Sequence, residues 1–131
     1  MATLYPSGKA AFLAGDIDLT SDTIKAVLVK AAYVYSAAHD FSGDLGANAV
    51  GTPATLANPD VTDGVFTADD PTFAAVGATT PCDRVAIYKH VTDGTDSPLL
   101  ALLDLATAIT PDGGDITLLF DAAGGIFSFN G

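Results

Sequence analysis

DRVAIYKHVTDGTDSPLLALLDLA, residues 83–106, is the stretch on which the reading of the fold turns. Two apolar runs flank a segment rich in turn-forming residues, and that pattern predicts a β-hairpin. In the first run Val85, Ile87, Lys89 and Val91 fall on one face and Arg84, Ala86, Tyr88 and His90 on the other, because side chains alternate along a strand. The second run, Leu99 to Leu105, is apolar on both faces apart from Asp104. The expectation is a half-exposed first strand beside a central second one. Between them Asp93, Gly94, Asp96, Ser97 and Pro98 offer positive-φ tolerance, Asx-type bonding and a fixed φ for the reversal.

Working outward, Thr23 to Lys30 (TIKAVLVK) is apolar on both faces and reads as a second central strand. Near the start, Ser7 is the expected N-cap and Gly15 the C-terminal stop of a short helix through KAAFLAG. From Ala31 the pattern loosens into an ordered loop with a turn of helix around Ala37 to Leu45. Shorter strand-like runs follow at Ala54 to Ala57, Val65 to Ala68 and Thr72 to Val76. Ile116 to Phe120 alternates, and the chain closes on AAGGIFSFNG. Together these predict an all-β fold: a β-sandwich of about seven or eight short antiparallel strands, jelly-roll-like, with one short N-terminal helix. One domain spanning 1–131 is expected, with no fixed-period repeat and no linker.

Composition agrees. All 16 acidic residues are aspartate, and neither Glu nor Gln occurs, which favours turns over long helices. At 49% hydrophobic the chain has apolar surface enough for a core despite a net charge of −11. Five basic residues against 16 acidic ones exclude nucleic acid and anionic membranes as direct partners, since phosphate contacts come mainly from Lys and Arg. The single cysteine, Cys82, rules out an intramolecular disulfide. No apolar run approaches the roughly 18 residues of a membrane span, and the N-terminus lacks a secretory pattern.

Candidate chemistry is sparse. A Cys82–His90 nucleophile pair would lie at opposite ends of one strand, some ~20 Å or more apart, and His39 has no local support. No G-x-S-x-G elbow occurs. Four aspartate pairs, Asp16/Asp18, Asp69/Asp70, Asp93/Asp96 and Asp112/Asp115, bring calcium to mind. The EF-hand template fails from Asp16, where Ser21 stands at the Gly position, and from Asp93, where Pro98 does. Aspartates that cap and shape turns explain them. The glycine pairs Gly113/Gly114 and Gly124/Gly125 lack a phosphate-loop lysine and read as turn glycines. Tyr5, Tyr33 and Tyr35 suggest a carbohydrate-stacking platform, weighed against packing or a subunit interface. The expectation is a non-enzyme without cofactor or metal.

The order of motifs adds a resemblance. GKAAFLAGDIDLTSDTIKAVLVKAAYVYSAAHDF (8–41), DRVAIYKHVTDGTDSPLLALLDLA (83–106) and GDITLLFDAAGGIFSF (114–129) resemble, in that order, small virion structural proteins of tailed bacteriophages. The chain departs at GTPATLANPDVTDG (51–64), where that family carries a glycine-rich loop. The resemblance implies a capsid decoration or cement protein on the virion surface, made in the host cytoplasm. Its partners would be the major capsid protein and copies of itself, an oligomer such as a trimer. A tail-associated tube, adaptor or fibre component and a receptor- or carbohydrate-binding module are the alternatives. On this reading the partner contacts are Leu4 and Tyr5, the loop bearing Tyr33 and Tyr35, and Phe127 and Phe129 at the C-terminus.

Overall fold

The computed structural model describes residues 2–77, 80–120 and 126–128. Its main sheet is antiparallel and five-stranded. In chain order the strands are β1 (Ala2–Leu4), β2 (Ile24–Lys30), β3 (Ala49–Thr55), β7 (Cys82–Lys89) and β8 (Leu99–Ile109), and in space they run β1-β8-β7-β2-β3. The remaining strands form two small ladders: β4 (Asp60–Thr62), β5 (Val65–Thr67) and β10 (Phe127–Ser128) in one, β6 (Thr72–Phe73) and β9 (Ile116–Thr117) in the other. The fold is all-β, with helix α1 (Pro6–Leu13) between β1 and β2 and a 3-10 turn, Ser42–Asn48, before β3.

The alternation read from the sequence sorts the core into two layers. Ile24, Ala26 and Leu28 of β2 and Val85 and Ile87 of β7 point to one face, where Phe66, Phe73, Val76 and Leu118 cover them. Val27, Val29, Ala86 and Tyr88 point to the other and pack with Tyr5, Tyr33 and Leu45. A sheet buried on both faces needs both sets of apolar positions, and β2 and β7 supply them.

The hairpin is present, with its two strands exchanged in role. β7 is the middle strand of five, and Val85 to Tyr88 are buried on both faces. β8 is the outer of the two. It is buried through Leu102, and from Leu103 onward its residues are partly or fully exposed. Coverage explains this: β1 pairs only with Ala101 to Leu103, and between Asp104 and Ile109 the β7 pairing skips in a wide bulge. Apolarity on both faces of Leu103 and Leu105 therefore does not translate into full burial.

Local chemistry also differs from the expectation in three places. Pro6 takes the first helical position, which its fixed φ suits, so Tyr5 rather than Ser7 is the N-cap and Ser7 lies inside the helix. Gly15 stops the helix as expected: at φ 81° it donates to the Phe12 carbonyl while Asp16 N–H reaches the Ala11 carbonyl, a Schellman closure. The turn of helix expected around Ala37 to Leu45 is displaced to Ser42–Asn48, because residues 40–43 are drawn into pairing with 94–99. Within the hairpin turn Gly94 has no positive φ. Its lack of a side chain is required instead by the close approach of Gly43: a Cβ on Gly94 would stand 3.0 Å from the Gly43 Cα, and one on Gly43 2.6 Å from the Gly94 carbonyl oxygen.

Candidate functional site

Tyr5 lies far in sequence from Tyr33 and Tyr35, and the three meet over one face of the main sheet. Tyr5 arrives there because its N–H bonds the Leu100 carbonyl at 3.0 Å, ending β1 and starting α1 on top of β8. Gly8 permits that seating: a Cβ there would sit 2.6 Å from the Leu99 carbonyl oxygen and 2.9 Å from the Leu100 Cα. Tyr33 follows β2 in a turn closed by its own N–H to the Lys30 carbonyl, 3.0 Å. Arg84, on the same face of β7 as Ala86 and Tyr88, then clamps that turn. Its guanidinium donates to the Ala31 carbonyl at 3.2 Å and to the Tyr33 carbonyl, and lies 5.3 Å from the centre of the Tyr33 ring. Asp83 balances the charge, Oδ1 to Nε 3.1 Å.

The hydroxyls form a chain. Tyr33 Oη is 3.0 Å from Tyr5 Oη and 2.7 Å from His39 Nδ1. With Nδ1 bare, Tyr33 donates to the imidazole and accepts from Tyr5, so both buried hydroxyls are satisfied. Burial, then the Tyr33 bond, hold the Tyr5 hydroxyl protonated well above the ordinary phenol range. Burial also raises Tyr33 and Tyr88. Tyr35 stacks at a tilt on Tyr5, ring centres 5.2 Å apart.

The expected contact residues are thus brought only partly to the surface. Tyr5 is fully covered and Tyr33 is 4% exposed, so neither offers area to a partner. A hydroxyl chain that runs from Tyr5 through Tyr33 to the half-buried His39 over an apolar sheet is a packed lid. What this lid presents is the uncovered part of Tyr35 and, beside it, Val34 at 79% exposure. Leu4 turns to the opposite face and packs against the aliphatic core. Phe127 lies in β10, paired with Phe66 of β5, and Phe129 falls outside the described residues. Arg84, read from the sequence as an ordinary strand residue, is the one the sequence reading missed. It is the chain's only arginine.

The other candidates have structural employment. Cys82 is buried at one end of β7 against the Thr80 carbonyl, and burial, then Asp83, push its thiol up. His90 follows the opposite end. Asp93 accepts from Thr95 N–H and hydroxyl, Asp96 from Thr92 and Asp93 N–H, and Asp18 from Thr20; these bonds hold all three carboxyls below the usual range. Asp70 and Asp115 brace the two ends of the β6–β9 ladder, accepting from Phe120 and Ala75 N–H. Among the described residues no three His, Cys or Asp groups cluster as a metal site, and no helix is long and apolar enough to cross a membrane. Set against known protein families, curated proteins and solved structures, the chain matches none of them.

Proposed function

We propose that the chain is a non-enzymatic structural protein of a tailed phage particle, a decoration protein that binds the outer capsid shell as an oligomer. The observation that carries this is the ordered resemblance, which follows the scaffold element by element. Its first block takes in most of α1, all of β2 and the tyrosine loop, its second most of β7 and β8, and its third starts just ahead of β9. The partners on this reading are the major capsid protein and further copies of the chain, and the place is the virion surface.

Physical chemistry supports the assignment. On a symmetric lattice, weak contacts repeated by an oligomer add through effective concentration, so no single contact needs to be large. A charge of −11 keeps the protein from competing for packaged DNA and opposes non-specific aggregation. Leu13, Val34 and Leu119 remain exposed as isolated large apolar side chains suited to shallow contacts. The experiment is to purify particles and count copies by quantitative gel. Copies in proportion to capsomers are expected, and a copy number of a few per particle would overturn the reading. Tyr35→Ala should leave a folded protein that binds particles less well.

A further inference from the structure

Segment 34–38 hangs between two anchors. On one side Tyr33 is held by its N–H bond to the Lys30 carbonyl and by Arg84, which donates to its carbonyl. On the other, residues 40–43 form a short ribbon with 94–99: Leu99 N–H reaches the Asp40 carbonyl at 2.9 Å and Ser42 N–H the Ser97 carbonyl at 2.8 Å. Within the segment, Ala38 N–H bonds Ser36 Oγ, His39 N–H bonds the Ser36 carbonyl, and the Tyr35 ring rests on Tyr5. The bond between Tyr33 Oη and His39 Nδ1, 2.7 Å, draws the two ends together. It closes the loop that presents Val34 and Tyr35.

Proton number decides whether that closure is satisfied. Tyr5 Oη, Tyr33 Oη and His39 Nδ1 are joined by two links, and with Nδ1 bare the two hydroxyl protons fill both. A protonated ring has no acceptor nitrogen, so Nδ1–H must donate to Tyr33. Two hydroxyl protons are then left with one link between them, and one is stranded. Tyr5 is fully covered and Tyr33 nearly so, and neither hydroxyl has a further acceptor among the described residues. Histidine is the side chain whose charge ordinarily changes between about pH 5 and 8.

The titratable and charged groups around the Tyr33–His39 pair are Tyr35 of the same loop, Tyr5 of the β1–α1 junction, Tyr88 and Arg84 of β7, Asp44 of the 3-10 turn, and Asp40 next in the chain. Arg84 opposes a second cation beside Tyr33, and Asp44 favours one. The Asp44 carboxylate is exposed and engaged by Phe41 and Asp40 N–H, so its pull is screened. Those bonds hold its carboxyl below the usual range, and its charge is constant while histidine titrates. The stranded hydroxyl, buried in the lid, sets the sign. We propose that His39 is a proton-operated latch: when it takes up a proton its bond to Tyr33 yields, and segment 34–38 loosens from the sheet while both anchors and both core layers stay folded. The latch stands on the loop's own bonds and is independent of the shell reading.

The test is an NMR titration of the whole chain from about pH 8 to about pH 5, following the ring nitrogens of His39 and the amides of 34–39. At the upper end Nδ1 should give the signal of a bare nitrogen. As His39 titrates, the Val34 to Ala38 amides should move with the same midpoint. Exchange of the Ala38 and His39 amides, corrected for its intrinsic pH dependence, should rise about tenfold, the effect of one stranded hydroxyl. His90, the other histidine, should titrate without moving these amides. Tyr33→Phe removes the hydroxyl bonded to the ring and should leave His39 titrating alone, and His39→Gln should hold the exchange constant across the range. A neutral ring with its proton on Nδ1, loop amides that stay put while His39 titrates, or a response unchanged in either variant would each overturn the latch. So would loss of protection throughout β2 and β7 at the same midpoint, because the opening is local.

Discussion

On one face of the main sheet Ile24, Leu28, Val85 and Ile87 meet Phe66, Phe73 and Val76 in a layer packed from apolar side chains. On the other, Val27, Val29 and Ala86 lie beneath Tyr5 and Tyr33, whose hydroxyls, with His39 and Arg84, form directional bonds between segments far apart in the chain. The aliphatic layer tolerates exchange of like for like. The tyrosine layer depends on each partner being present, since a buried hydroxyl left alone carries its full desolvation cost. The first layer is a core. The second is a lid that also positions the loop presenting Val34 and Tyr35.

The strongest way to break the comparison is to place a charge in the aliphatic layer. Ile87 is fully buried in the central strand, and Ile87→Asp would bury a carboxylate without a partner. Several kcal/mol is a large part of the roughly 5–15 kcal/mol that holds a domain together, so no folded protein should be recovered. A cooperative thermal transition in that variant would show the sheet assignment to be wrong.

Alkaline pH is next, and it acts chiefly on the lid, the buried Cys82 thiol being the group that titrates upward in the aliphatic layer. Tyr5, Tyr33 and Tyr88 have raised folded values, so their contribution is complete below the ordinary tyrosine pKa of about 10 and is lost as pH rises through the folded values. Chemical denaturation followed from neutral pH to above that point should show the midpoint falling, while Tyr5→Phe makes the fall shallower. Gly8→Ala follows. The added methyl meets β8 backbone rather than a flexible side chain, and overpacking of this kind costs about 1–3 kcal/mol, more than the helix-propensity gain of about 1 kcal/mol. Tyr33→Phe should cost about 1–2 kcal/mol by leaving the Tyr5 hydroxyl unpartnered. In the double variant with Tyr5→Phe much of that loss should be recovered, which a double-mutant cycle reads directly.

This division also decides what could be read in the sequence. β2 and β7 were legible because alternation records which side chains share a face. That β7 is central was not, because Ala86 and Tyr88 are covered by Tyr5 and Tyr33, and no local pattern announces a lid built from positions 28 residues apart. Ser7 looked like a cap, yet Pro6 beside it was the better signal, since proline prefers the first helical position. Gly94 looked like a turn glycine; that it and Gly43 need each other is a tertiary fact. Of the expected contact residues, the three tyrosines do come together. Aromatic character alone could not distinguish the buried Tyr5 and Tyr33 from the partly exposed Tyr35, because tyrosine serves both roles.

The smallest effect is expected where the lid loop runs into the segment 40–43 that pairs with 94–99. The Asp44 carboxylate accepts from Phe41 N–H at 3.0 Å and Asp40 N–H at 2.9 Å, and those two bonds, Phe41 first, hold its carboxyl below the usual range. It is exposed, so solvent screens its charge. Asp44→Asn keeps an acceptor oxygen and should cost only about 0.3 kcal/mol, as capping exchanges between Asp and Asn do. A depressed carboxylate stabilises above its unfolded value, about 3.9, and the contribution disappears as pH falls through the lower folded value. The gap in denaturation midpoint between the parent protein and Asp44→Asn should therefore be present at neutral pH and close under acid. A gap that persists in acid would mean that Asp44 acts through shape rather than charge, and that the ribbon at 40–43 is held by its pairing with 94–99 alone.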